Sequence, residues 1–186
     1  MSRIKVIQPD EAEGRLKEIY LQLKKQRGQL AGVHKIQSLR PESIVKHMDL
    51  YMEIMYSKSE LSRAQREMMA VVVSKTNNCS YCVAHHASAL NKYWKDDKQI
   101  KDLQENFLKL DLVSKDRALC VFAETLTKNR DIVNYGSLTD GLRDVGFSDE
   151  AILDAALVVS YFNFVNRMVL SLGVELEGDH GENYNY

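Results

Sequence analysis

The chain has 186 residues, 45% apolar and 27% charged, a balance that excludes wholesale disorder and suits one compact core. Its 25 basic and 26 acidic side chains leave a net charge of −1, so no basic excess points to nucleic acid and no acidic block to a solvating tail. Nine glycines and two prolines are few turn formers, which favours long helices over sandwiches or barrels.

The segment Met1-Ser2-Arg3-Ile4-Lys5-Val6 lacks the apolar stretch of a secretory signal. The longest purely apolar run, residues 68–73, falls far short of the roughly 20 residues that span a bilayer. Three cysteines are too few for a disulfide framework in a chain of this length. A cytoplasmic address without membrane contact is expected. No linker or repeat divides the chain, so one helical domain over 1–186 is expected.

In chain order, the spacing predicts a first helix from Pro9-Asp10-Glu11 to near Gly28, with Leu16, Ile19, Tyr20 and Leu23 as its apolar stripe. A second covers 41–56, with Ile44, Met48, Tyr51, Met52 and Met55 inward. Ser62 with Gln65 forms a capping box that opens a third, which contains 68–73 and must be buried on nearly every side. Asn77-Asn78 breaks it, and a fourth follows over 79–94. Further helices are predicted at 97–107, 114–128, 139–145 and 148–172, the last stopped by Gly173. The tail 177–186 is polar and expected to be loose. No alternating strand pattern occurs. The predicted class is all-α, with about eight helices.

The chemistry concentrates in the core motif, about 61–90. Drawn as a helix, Cys79, Cys82 and His86 fall within an arc of about 60°. Val83 and Leu90 share that side, so the cluster looks inward. Cys82 and His86 are i and i+4 neighbours, close enough for the imidazole to take the thiol proton. Cys79 sits at the helix start, where the macrodipole favours a thiolate. Together these are the parts of a redox dithiol, and a zinc site is the alternative. Zinc would use Cys79, Cys82 and His86 with a fourth ligand such as Cys120 or His47. Attachment of a c-type haem needs His directly after the second Cys, where Val83 stands. Plain buried cysteines beside surface histidines are the third possibility.

Glu67 lies twelve residues before Cys79 on a face of small residues, Ala64, Ala70, Val71 and Ser74. Facing a packed helix, it would need a partner such as His86. An exposed acid near a helix start is the equal alternative. Cys120, in the apolar run 118–123, is expected to be an inert core thiol. His34, His47 and His180 show no partner and are expected at the surface. Asn163, Asn166 and Arg167 interrupt an apolar helix and either line an entrance or subunit contact, or hydrogen-bond neighbouring helix ends.

Glu67, Cys79-x-x-Cys82 and His86 resemble the E…CxxCxxxH motif of the alkylhydroperoxidase D and carboxymuconolactone decarboxylase family. The run 61–86, together with Tyr161-Phe162-Asn163-Phe164-Val165-Asn166-Arg167, is similar to its peroxidase-related branch. The resemblance implies an alkylhydroperoxidase D-like helical bundle that reduces hydroperoxides, with Cys82 as peroxidatic thiolate, Cys79 as resolving thiol, and His86 with Glu67 as proton relay. It implies a dithiol or thioredoxin-like reductant as partner and neither cofactor nor metal. One residue departs from alkylhydroperoxidase D: Tyr81 stands where that protein has a second histidine, leaving Tyr81 and His85 as auxiliary candidates. Retention of the CxxC pair argues against lactone decarboxylation. The apolar runs 68–73 and 157–172 exceed what a monomer should hide, so a homo-oligomer (dimer, trimer or hexamer) is expected.

Overall fold

A computed structural model describes residues 2–128 and 135–178 of the chain. Nine helices and no strand occur among the described residues: α1 Gly14–Arg27, α2 Gly32–Lys35, α3 Pro41–Tyr56, α4 Arg63–Thr76, α5 Ser80–Trp94, α6 Asp97–Asn106, α7 Ser114–Lys128, α8 Gly136–Asp144 and α9 Asp149–Leu172. A 3-10 turn, Phe107–Lys109, follows α6.

The hub is α4, which packs against α3, α5, α6, α7 and α9. Its start is held by the capping box: the Ser62 hydroxyl accepts from the Gln65 N–H, and the Gln65 side chain accepts from the Ser62 N–H. From Arg66 to Ser74 every residue is buried, as an all-round apolar helix requires. The chain then reverses in three residues. Asn77 ends α4, Asn78 takes the left-handed conformation (φ 56°) that asparagine tolerates, and Cys79 stands at the N-cap of α5. The Cys79 N–H donates to the Ser74 carbonyl at 2.9 Å, locking α4 and α5 side by side.

Three expectations need correction. The first helix begins at Gly14 rather than near Pro9, because residues 8–11 close a separate turn. There the Glu11 N–H donates to the Gln8 carbonyl and the Glu11 carboxylate accepts from the Gln8 N–H. Met52 is not inward but 41% exposed, at the margin of the α1–α3 seam, and α2 is a short addition that no periodicity announced. The long helix α9 is apolar and long enough to suit a membrane span by composition, yet it packs as a core helix on α3, α4 and α7.

Candidate active site

Four helices, α2, α3, α5 and α9, converge on a cavity of about 50 Å³. From α5 come Tyr81, Cys82, His85 and His86, from α2 His34, and from α3 His47, Met48 and Tyr51. Helix α9 supplies Tyr161, Phe162 and Val165. The volume is that of a few water molecules.

Cys79 and Cys82 are both buried free thiols, and they hydrogen-bond each other. Cys82 lines the cavity, whereas Cys79 lies behind it with no exposed surface. The thiols titrate as a pair. The Cys82 side chain and backbone donate to Cys79, holding that thiol below its ordinary value against the cost of burial. The same bond, burial and the adjacent negative charge push Cys82 well up, opposed by a hydrogen bond from Asn166. The N-cap position of Cys79, where the helix dipole favours negative charge, acts in the same direction.

Glu67 is fully buried and paired, which decides between its two readings. One carboxylate oxygen meets Nδ1 of His86 at 2.6 Å, and the other takes the Arg63 guanidinium one turn back. Arg63 in turn donates to the Tyr51 and Tyr56 hydroxyls, each at 3.1 Å, and lies over the Tyr56 ring. Because a carboxylate only accepts, His86 carries its proton on Nδ1. The ring sits edge-on to Phe162, 4.5 Å between centroids, and faces the same cavity as Cys82.

Asn166 is fully buried where α4, α5 and α9 meet. Its amide donates to Ser74 Oγ at 3.1 Å and its carbonyl accepts from Asn77 at 3.0 Å. Asn163 likewise bonds Asn77 and Thr127, and Arg167 folds back on Asn163. Of the two readings for this trio, bonding to the end of a neighbouring helix is the one observed, and Asn166 also reaches Cys82. Cys120 is buried in α7 and burial pushes its thiol up, as expected of a core cysteine.

Two histidines expected at the surface are buried instead. His34 and His47 lie edge to face, 6.3 Å apart, in the cavity wall. His47 Nε2 meets the Tyr161 hydroxyl at 2.6 Å, and its Nδ1 accepts from Gln37 at 2.7 Å. Burial, with the neighbouring His47 and Arg27 charges, lowers His34 from 6.5 to about 3, and burial lowers His47 to about 4. Both are held neutral in the native state while the unfolded chain takes protons near pH 6.5. Stability is therefore full above pH 6.5 and falls as pH drops toward 4. Lowering the pH from 7.5 to 5 should cost about 4 kcal/mol, roughly 2 for each histidine. Urea midpoints at the two pH values measure it, and an unchanged midpoint would refute it.

The tail also departs from expectation at its start: Glu177 is pinned rather than loose. Its carboxylate meets His85 Nε2 at 2.9 Å and the Tyr81 hydroxyl at 3.0 Å, and accepts from the Gly32 N–H. Residues 179–186, with His180, lie outside the described residues. Among the described residues no three His, Cys, Asp or Glu side chains gather as metal ligands. His86 is committed to Glu67 and His47 to Tyr161 and Gln37, while Cys120 lies in the core of α7. The zinc set of Cys79, Cys82 and His86 with Cys120 or His47 does not assemble.

Residues 45–105, which hold Glu67, both motif cysteines and His86, match the carboxymuconolactone decarboxylase family. The crystal structure of an alkylhydroperoxidase AhpD core, an uncharacterized peroxidase-related protein from Ralstonia eutropha, is similar at TM-score 0.85 and 27% identity, over 97% of this chain and 94% of that one. The chain thus carries a stretch similar to the carboxymuconolactone decarboxylase family at 45–105 and has the fold of an alkylhydroperoxidase AhpD core. A second uncharacterized peroxidase-related protein, from a Silicibacter species, is similar at TM-score 0.83 and 25% identity over 97% of both chains. An uncharacterized Bacillus subtilis protein, YdfG, is 25% identical over 136 residues, 73% of this chain and 90% of its own. The debrominase Bmp8 shares the fold at TM-score 0.78 and 17% identity, over 98% of this chain and 97% of that one.

Sequence reasoning missed Arg63, although it precedes Glu67 by four residues, the spacing of a helical ion pair. It gave His34, His47 and Tyr161 no place in the cavity they line from elements far away in sequence, and gave Glu177 no partner.

Proposed function

We propose that this protein reduces hydroperoxides through Cys79 and Cys82, with His86 and Glu67 as the proton relay. The observation that carries the reading is that Cys82 and His86 line one cavity while Cys79 and Glu67 stand directly behind them.

His86 takes the Cys82 proton on Nε2, its Nδ1–H held by the Glu67 carboxylate. The Cys82 sulfur attacks the distal peroxide oxygen. The S–O bond forms as the O–O bond breaks, leaving a sulfenic acid and an alkoxide that is protonated to the alcohol. Cys79 then attacks the sulfenic sulfur, water leaves, and a disulfide closes across the first turn of α5. A small dithiol or a thioredoxin-like protein returns both thiols by exchange. Because Cys82 holds its proton tightly, removal of that proton by His86 is the step that generates the nucleophile, and Cys79, the less basic thiolate, is the better leaving group in recycling.

The reading places the protein in the cytoplasm, where dithiol reductants are plentiful. It also assigns a homo-oligomer. Helix α4 is satisfied within the chain, but α9 leaves Leu153, Leu157, Phe164 and Leu170 exposed for a second copy. Counting free thiols after addition of tert-butyl hydroperoxide to the reduced protein tests the chemistry. Two thiols should disappear together while Cys120 persists, and loss of none or of only one would refute the mechanism. Light scattering of the same sample should give a mass above the 21.3 kDa of one chain, and a mass equal to it would refute the assembly.

A further inference from the structure

The catalytic cavity holds little more than the peroxide group of a substrate. At about 50 Å³ it has the volume of a few water molecules, so the organic part of a hydroperoxide must lie elsewhere. We infer that this part lies in the groove between α1 and α3. The groove is a subsite for an unbranched alkyl chain, and Met48 is its specificity-determining residue. The inference rests on the peroxidase reading of the cavity and adds the shape of its substrate.

One side chain joins the two spaces. Met48 of α3 lines the cavity together with Cys82 and Tyr51, and it also lines the groove, whose volume is about 420 Å³. Its side chain is the partition between them and is buried. Methionine suits that position, because an unbranched thioether with three rotatable bonds swings aside for a chain where a β-branched residue would hold a fixed wall. A second contact links the spaces: the Arg27 guanidinium, in the groove, lies over the Tyr51 ring, in the cavity wall, 5.6 Å from its centroid.

The groove follows from how the two helices lie. They run in the same direction, with Arg15 paired to Glu42 near their starts and Arg27 donating to the Tyr56 hydroxyl at their ends. Between them Ile19 and Leu23 of α1 and Ile44, Val45 and Met52 of α3 make an apolar trough, while the exposed Gln22 and Gln26 mark its solvent side. Its charged members are engaged at the margins. Asp49 pairs with Lys46 at the surface, and Arg27 donates to Tyr56 and to the Met52 sulfur. Such a lining removes methylenes from water and fits an uncharged chain. The exposed apolar residues assigned above to a second copy sit on α9, so that contact does not need the groove.

The chemistry at Cys82 is unchanged by the length of the chain, which gives the test. n-Butyl and n-decyl hydroperoxide carry the same primary peroxide, so the ratio of their rate constants isolates the subsite from the reaction. Reductant-free single-turnover loss of thiols is followed for the full chain with each. A methylene moved fully out of water is worth about four-fold. In a groove open on one side about two-fold is expected, so the longer chain should lead by about 50-fold. Val45→Trp, which fills the groove from its wall, should cut that lead about ten-fold. Met48→Leu, similar in volume but stiffer, should cut it about three-fold. Equal rates with both hydroperoxides in the native protein, or a lead that neither variant changes, would overturn the inference and leave the peroxidase reading intact. Binding of 1-decanol, which carries no peroxide, reads the subsite outside the chemistry: the methyl resonances of Leu23, Val45 and Met52 should shift on its addition. Shifts confined to Leu153 and Leu157 of α9 would overturn the inference by placing the chain on the face assigned to a second copy. Thiols that react with neither hydroperoxide would overturn the peroxidase reading and this inference with it.

Discussion

Cys82→Ser will abolish catalysed peroxide reduction, lowering kcat/KM by roughly 10⁴-fold or more, because no other thiol among the described residues faces the cavity. Cys79 cannot replace it, being fully buried behind it. The matching variant, Cys79→Ser, separates the two roles. It should still consume about one peroxide per chain in a single turnover, then stall with a sulfenic acid on Cys82 that dimedone traps. Steady-state turnover should fall with it, since no resolving thiol closes the disulfide. Mass spectrometry of the trapped adduct reads the position directly. An adduct on the Cys79→Ser variant at Cys120 instead, or full steady-state turnover in either variant, would contradict the assignment.

The second large effect is on stability. Glu67→Ala should destabilise the protein by about 3–5 kcal/mol, because it strips the partner from an Arg63 side chain that is only 14% exposed and leaves His86 without its acceptor. The penalty arises from the charge left behind rather than from the net strength of the pair, whose formation also removes two charges from water. Glu67→Gln keeps the shape and one acceptor oxygen but turns a donor toward either Arg63 or His86. It should fold with a smaller loss, yet slow peroxide reduction about 100-fold by weakening the relay. Urea unfolding of the alanine variant checks the first claim, and a change within about 1 kcal/mol would show that Arg63 finds water or another acceptor.

The two carboxylates show how unevenly the site could be read beforehand. Glu67, Cys79, Cys82 and His86 lie within 20 residues on two consecutive helices, so helical spacing alone lines up three of them and fixes their inward face. Even there the spacing left Glu67 undecided between solvent and core, because an acid near a helix start satisfies either. Glu177 is 92 residues from His85, in a polar stretch with no periodicity, and nothing local distinguishes it from a solvated tail. His34 and His47 carry the same lesson with the opposite surface expectation. A lone histidine has no sequence signature for burial, which depends on what other helices cover it.

Helix content, the capping box at Ser62, the break at Asn77-Asn78 and the Cys–His face of α5 were determined by the sequence, since each depends on contacts within one or two turns. Tertiary structure alone decided which thiol sees the cavity, which carboxylate serves which histidine, and that Glu177 of the segment after α9 is tied to His85 and Tyr81. Those outcomes rest on contacts between residues far apart in the chain, formed only when α2, α3, α5 and α9 pack around α4 or against one another, and no local periodicity encodes them.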